Sequence, residues 1–600
     1  MRQQIFALLI WLHNAHCFQT STTTNNIQSV SDPLGQKGCV VHFRQSNKLS
    51  FAALTNSPDC VAYGSFSSWE SQPSYFAQLR VSLYDTGAFD DQLKMRAAGY
   101  LEGYLSAESL SDHAYNVRSW LQSNRNGAKN VIKWLVMQDA WIRDHVQQVR
   151  KSSPTGDESH TASGSRSGND IEKRQSEARY WEAISLVLSQ LDGILEGYNS
   201  RRHAEAGNGF HFEEVTKEDL LIINALGDLG DLLPMFNETT MKVTTRDLTK
   251  LSPIEAWHAL ATSGHCSVLV KVKGDLTDLF VGHVTWTDYY AMVRIYKHYN
   301  FSGLQYKHAL NKLISMSSYP GAVSSIDDFY IIGAPSHLVV TETTNPVLDE
   351  RLFGLVTHRA PISYHRVFAA NLLSSSGEEW VEWAQMYPSG TYNNQYMVID
   401  LKRFSPGEEL KPGLLMVLEL MPGLAKYGDL THELEHGYFP SYNIPYFKDI
   451  YKWSGFLAVT DKLTSYGAEY SKVVRGLNYQ LTPRAKIFRR DAGAIDDLEA
   501  LKRVLRSNSW GPDNYTNNEV FGTICARGDL DPVNPTPYGC LDAKVTSYSM
   551  AMAMRADAVS GPSREHGLPA FSWSKAASFA TGSHRGMPDV FDGRFDLQEP

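Results

Sequence analysis

Cys266 is the residue with the most chemistry to offer. It stands alone in mid-chain, directly before the apolar run Val268-Leu269-Val270-Lys271-Val272, and the other five cysteines lie toward the two ends. Parity isolates it further. Met1-Arg2 precede an apolar stretch from Ile5 to Leu12, the layout of a cleaved secretory signal, here taken as residues 1–19, which would carry Cys17 away. In the oxidising compartment this implies, Cys39, Cys60, Cys525 and Cys540 can form two bridges, and the thiol left over is most economically Cys266. An unpaired thiol in a secreted chain is usually explained by deep burial or by nucleophilic chemistry.

A cysteine that opens a strand, after a long dispensable segment, suits an enzyme that cuts its own chain there. The freed α-amine titrates near pH ~8 and sits on the same residue as the thiol, so it can act as general base without a separate histidine. Gly264 gives the backbone before the cut the freedom that an N-to-S acyl shift needs. The expected cleavage is between His265 and Cys266.

A second pattern competes. His432-Glu433-Leu434-Glu435-His436 fits the His-Glu-x-x-His spacing of zinc metallopeptidases, in which two imidazoles one helical turn apart bind zinc and the glutamate activates water. Gly437 and Pro440 leave such a helix little room, and no third histidine follows at the extended spacing. A distant carboxylate such as Glu469 would have to complete the set. The bland reading is an exposed polar turn. Arg527-Gly528-Asp529, an integrin-type tripeptide, reads as coincidence.

The elements that must position Cys266 divide the chain in two. Helical periodicity runs through Phe89 to Leu110, Gly127 to Arg150 and Glu177 to Tyr198, with a polar loop from Lys151 to Glu172 and a short helix at Glu218 to Leu226. Gly227 to Gly264 reads as irregular. From Cys266 onward short apolar runs between turn signals predict sheet. Cys266 to Val272 and Leu276 to Val284 form a hairpin around Gly274-Asp275, Tyr289 to Tyr299 reads as a helix, and strands are expected at 329–332, 337–341, 395–401 and 414–420. The expected class is α+β. The organisation is a signal (1–19), a helix-rich N-terminal part (20–226), a linker (227–265) and a C-terminal part (266–600).

Composition sets limits. Six hundred residues with 42% hydrophobic content can bury a large core, and a net charge of -9 with no basic stripe argues against a nucleic-acid partner. No second apolar stretch reaches the roughly 18–20 residues of a bilayer span. Sequons at Asn237, Asn300 and Asn514 agree with passage through the secretory lumen.

The segments Gly264-His265-Cys266-Ser267-Val268-Leu269-Val270-Lys271 and Val281-Gly282-His283-Val284-Thr285-Trp286 resemble the phospholipase B-like family. So do Thr341-Glu342-Thr343-Thr344, Ser441-Tyr442-Asn443-Ile444-Pro445, Pro483-Arg484-Ala485-Lys486 and Asp542-Ala543-Lys544-Val545-Thr546, in order over about half the chain. The resemblance implies an N-terminal nucleophile hydrolase with an αββα sandwich, lysosomal or secreted, whose two fragments stay associated. It implies Cys266 as nucleophile, His283 and Trp286 lining the pocket, and Thr344, Asn443 and Arg484 completing the site without a cofactor. The Asn443 side-chain amide is the expected oxyanion donor, and Arg484 is expected to hold a thiolate or a substrate anion. The substrate expected is a phospholipid acyl ester, with N-acyl amides as the alternative in the same mechanism. A processed luminal binding glycoprotein without turnover is the alternative outside it.

Overall fold

The computed structural model describes residues 36–600 apart from 44–45, 47, 54–59, 86, 124–126, 153–167, 208–211, 237–246, 265, 581 and the side chains of 123 and 168–171. The expected signal, Cys17, the Asn237 sequon, His265 and most of the polar loop lie outside the described residues.

Two sheets dominate. The larger runs, in spatial order, through Leu424–Asp429, Leu415–Met421, Asn394–Asp400, Leu338–Thr344, Phe329–Ile332, Leu313–Ser318, Arg294–Asn300, Phe76–Leu83, Cys60–Ser67, Gln36–Phe43 and Lys48–Ala52. Phe76–Leu83 pairs with Arg294–Asn300 in parallel, so the first part of the chain extends a sheet made by the second. The smaller sheet orders Tyr438–Ser441, Cys266–Val272, Leu279–Asp288, Asp542–Ser547, Ala556–Ser560 and Asp596–Gln598, and Tyr538–Cys540 also pairs with Leu279–Asp288.

The two sheets pack face to face. Val268, Val270 and Val281 on one meet Ile331, Val339, Met397 and Ile399 on the other. The outer face of the large sheet, with Leu79, Val81, Ile295 and Val340, is covered by helices Asp91–Leu105, Gly168–Ala204 and Ser363–Leu373. Leu269, Phe280 and Val284 on the outer face of the small sheet lie under Pro483–Asp491 and Leu498–Leu505. Helix, sheet, sheet, helix is the layering expected. Burial of apolar area at three interfaces drives it, at about 25 cal/mol per Å2 removed from water.

Helices Asp91–Leu105 and Gly168–Ala204 touch backbone to backbone. A Cβ at Gly99 would stand 1.8 Å from the Gln190 carbonyl oxygen and one at Gly197 1.9 Å from that of Tyr100, so no side chain fits at the crossing.

Two expectations fail. The stretch 227–264 is not irregular where described: it holds helices Leu226–Phe236 and Pro253–Thr262, the latter started by a capping box in which Ser252 and Glu255 exchange hydrogen bonds around Pro253. That signal was in the sequence. Tyr289 to Tyr299 is a 3-10 turn, Tyr289–Ala291, followed by strand Arg294–Asn300. The strand is buried on both faces, so it lacks a polar alternation, and its apolar residues matched a helical spacing by accident.

Disulfides join Cys39 to Cys60 and Cys525 to Cys540, leaving Cys266 free. The second closes a 15-residue separation, worth roughly 3 kcal/mol in the chain-entropy model. Replacing both Cys525 and Cys540 by serine is expected to lower unfolding free energy by about that amount, read by urea denaturation.

Candidate active site

Cys266 is the first residue of its strand and 4% exposed. Side chains alternate across a strand, so it shares the inter-sheet side with Val268 and Val270, while Ser267 and Leu269 face the outer helices. In the antiparallel hairpin Cys266 stands opposite Thr285 and Val268 opposite His283, and Lys544 faces His283 from the other side. Burial pushes the Cys266 thiol well above its ordinary pKa, and the nearby Glu342 charge adds to the rise.

Two expected residues meet the backbone of Cys266. Its nitrogen donates to Asn443 Oδ1 at 3.4 Å, and its carbonyl accepts from Arg484 Nη1 at 2.5 Å. Arg484 Nη2 donates to Asn443 Oδ1 and to the Tyr442 carbonyl, each at 2.8 Å, and the guanidinium lies 4.7 Å from the centre of the Trp286 ring. Burial lowers the Arg484 pKa to about 10, which leaves it cationic beside the thiol at neutral pH. Asn443 takes a left-handed backbone, φ +68, which asparagine tolerates better than most residues. Its Nδ2 donates to the Thr344 carbonyl at 2.7 Å. One N–H of the Asn443 amide is thus committed to Thr344, and its oxygen accepts from the Cys266 nitrogen.

Before Cys266, Tyr538 donates its hydroxyl to the Gly264 carbonyl at 2.7 Å. A Cβ at Gly264 would lie 3.1 Å from Arg484 Nη2 and 3.3 Å from the Trp286 ring, tighter than ordinary contact, so a larger residue there would press on both side chains.

Cys266, Trp286 and Thr344 border a cavity of about 810 Å3. Its walls include Leu226, Leu229, Leu233, Leu248, Tyr290 and Ile326, an apolar lining of the size that encloses a small-molecule ligand. His283 does not line it. The ring is fully buried beneath Cys266, and neither of its nitrogens makes a well-formed hydrogen bond. Burial, with Lys544 beside it, lowers its pKa well below the ordinary value, so it is neutral.

Beneath the site lies a buried charge cluster whose roles the sequence did not disclose. Asp327 bonds Arg294 and Lys544, each at 2.7 Å, and Asp542 bonds the same two at 3.0 and 2.8 Å. Burial opposes the Asp327 charge, but Arg294 and Lys544 outweigh it and hold its pKa well below the usual range. The available signal was a charged residue inside an otherwise buried strand, as at Ala543-Lys544-Val545 or Val340-Thr341-Glu342.

Two buried sets among the described residues bring three groups of metal-ligand type within 4.8 Å: Cys266, His283 and Glu342, and His283, Asp327 and Asp542. Neither reads as a metal site, because Lys544 and Arg294 already neutralise the two aspartates and the first set contains the candidate nucleophile. His432 and His436 are absent from both. Their helix, Thr431–Leu434, is a single turn that ends before His436, and both histidines are exposed. The geometry that would let them share a face is lacking. Arg527-Gly528-Asp529 folds inward, with Arg527 fully buried and bonded to Asp529 at 2.6 Å. Of the described sequons, Asn514 is exposed, whereas Asn300 is partly buried and accepts from the Ser302 backbone.

A family model for Phospholipase B matches residues 62–597, from the strand Cys60–Ser67 to the strand Asp596–Gln598. The chain belongs to that family. It is 36% identical over 517 residues to Phospholipase B-like 1 of Rattus norvegicus, covering 86% of this chain and 84% of the relative. Against Phospholipase B-like 1 of Homo sapiens it is 34% identical over 520 residues, with 86% and 83% covered. Against Phospholipase B-like protein D of Dictyostelium discoideum it is 36% identical over 538 residues, with 89% and 86% covered. In this phospholipase B family member the residues described around Cys266 fall inside the matched span, and strands Gln36–Phe43 and Lys48–Ala52 of the larger sheet lie before it. Among the described residues no helix is long and apolar enough to cross a membrane.

Proposed function

We propose that the chain is the precursor of a secreted or lysosomal acyl hydrolase that opens its own His265–Cys266 bond and then removes fatty acyl chains from phospholipids through a thioester at Cys266. The observation that carries this reading is a buried, unpaired thiol at the start of a strand. Its own nitrogen faces an asparagine oxygen, and it borders an apolar cavity.

Once freed, the Cys266 amine takes the thiol proton, with Asn443 Oδ1 fixing its direction. The Arg484 cation favours the thiolate. The sulfur attacks the acyl carbonyl, the alcohol of the lipid leaves with the proton, and water then splits the thioester to give fatty acid and thiol. The cavity takes the acyl chain, and Trp286 and Thr344 form the wall beside the reacting carbon.

The parts before and after the cut, up to 265 and from 266, remain together because they share a sheet. Asp228 and Asp231 of helix Leu226–Phe236 also accept hydrogen bonds from Thr391 and from the Tyr392 backbone. The two disulfides and the exposed sequon at Asn514 support a luminal or secreted location. The names of the relatives favour an ester over an amide.

The test is fatty-acid release from phosphatidylcholine micelles and from an N-acyl amide panel, with the fragment N-termini sequenced. Acid released from the phospholipid by a protein with a new terminus at Cys266, and equally by His432→Ala, supports the reading. Activity from an uncut chain, or its loss in His432→Ala, overturns it, and acid from the amides alone transfers the mechanism to an amidase.

A further inference from the structure

The α-amine invoked above does not exist until the His265–Cys266 bond is open, so the cut that creates it needs another proton acceptor. The inference here rests on that reading of Cys266. In the intact chain Glu342 and His283 offer themselves, each with an atom within 4.8 Å of the sulfur and of each other.

We propose that Glu342 is the acceptor: its carboxylate takes the Cys266 thiol proton in the uncut chain and returns it to the Cys266 nitrogen as the peptide bond opens. Glu342 sits on strand Leu338–Thr344 and is fully buried. Its Oε1 accepts from the Tyr392 hydroxyl at 3.2 Å, and its Oε2 has no hydrogen-bond partner. A buried carboxylate oxygen left without a donor is costly, and such exceptions call for an explanation. The thiol proton supplies one. The remaining separation is of the kind that tightens when the reacting complex forms.

Charge separation selects Glu342 over His283. A proton moved from sulfur to ionised Glu342 exchanges one buried anion for another and separates no new charges. The same proton on His283 would make a new cation next to Lys544, which stands opposite it in the sheet, and would separate two charges in a dry site. The cations there are already spent, because Asp327 and Asp542 balance Arg294 and Lys544. Burial, with the charge of Asp328, raises the Glu342 pKa well above the ordinary range, and burial raises the thiol in the same direction.

The step balances. Glu342 removes the proton from Sγ, and the sulfur attacks the His265 carbonyl carbon. As the carbon–nitrogen bond breaks, the nitrogen keeps its bonding pair and takes the proton from Glu342, leaving a thioester to His265 and a free amine on Cys266. Water then cleaves the thioester into the His265 carboxylate and the thiol. Glu342 ends as it began, and nothing is oxidised or reduced.

The experiment follows the appearance of the fragment that starts at Cys266 in freshly synthesised full-length chain, across a pH series, for wild type, Glu342→Gln and Glu342→Asp. The groups facing Glu342 are Cys266 and His283 from the hairpin, Asp327 and Asp328 from the turn before Phe329, Lys544 from the neighbouring strand, and Tyr392 and Tyr396. All are kept in every variant. Wild-type cutting is expected to accelerate with pH and then level as Glu342 ionises. Glu342→Gln should cut about 100-fold more slowly or worse, with that pH limb gone, and Glu342→Asp should recover part of the rate together with the limb. A Gln variant that cuts at the wild-type rate, or slowly but with the wild-type pH profile, overturns the proposal, and so does an Asp variant no better than Gln although folded. Wild type that cuts while the Gln variant equals it sinks this inference alone, whereas wild type that never cuts sinks the reading of Cys266 as well.

Discussion

Cys266→Ala is expected to stay a single chain and to lose fatty-acid release by about 10^4- to 10^6-fold, the range seen when a covalent nucleophile is removed from a working site. Both losses follow from one atom, since in the proposed mechanism the sulfur performs the cut and the turnover. Stability is expected to move little, within about 1 kcal/mol, because only one buried sulfur is lost. A melting temperature near that of wild type would separate chemistry from misfolding. Cys266→Ser is the informative companion: a hydroxyl can make the acyl shift, so slow appearance of a terminus at Ser in that variant is expected, at a rate below wild type. Gel mobility, N-terminal sequencing and fatty-acid titration read the three outcomes. A cut at 266 in the alanine variant would show that another protease does the work.

The second large effect is on stability and comes from beneath the site. Lys544→Ala is expected to cost about 3–5 kcal/mol, because it leaves Asp327 and Asp542 to share Arg294 in an interior that cannot hydrate them. Urea denaturation of wild type and variant measures it. The pH dependence carries a sign. The folded pKa of Asp327 lies below its unfolded value of about 3.9, so its contribution is complete above that pH and is lost only as pH falls through the folded value. With Lys544 gone the folded value rises, and acid unfolding should begin at a higher pH than in wild type. Glu342 works in the other direction. Its folded pKa is raised, so its contribution is present below about pH 4.3 and falls as pH rises through the folded value.

Cys266 was legible because isolation and parity are properties of a list of residues, and the hairpin after it because alternation and a Gly-Asp turn are local. Arg484, Asn443, Trp286 and Thr344 were legible through family resemblance, since nothing local marks any of them. The strand Arg294–Asn300 was misread because a strand covered on both faces loses its period. The helix Pro253–Thr262 was missed although Ser252 and Glu255 announced it.

The sequence alone determined the unpaired thiol, that the four other cysteines of the mature chain can make two bridges, and the α+β class, all of which depend on counting and on short-range periodicity. Only the tertiary structure decided that Glu342, His283, Asp327 and Lys544 meet under the thiol, and that the Asn443 oxygen accepts from the Cys266 nitrogen. Those groups come from strands far apart in the chain, and burial between two sheets is what makes their charges interact strongly enough to matter.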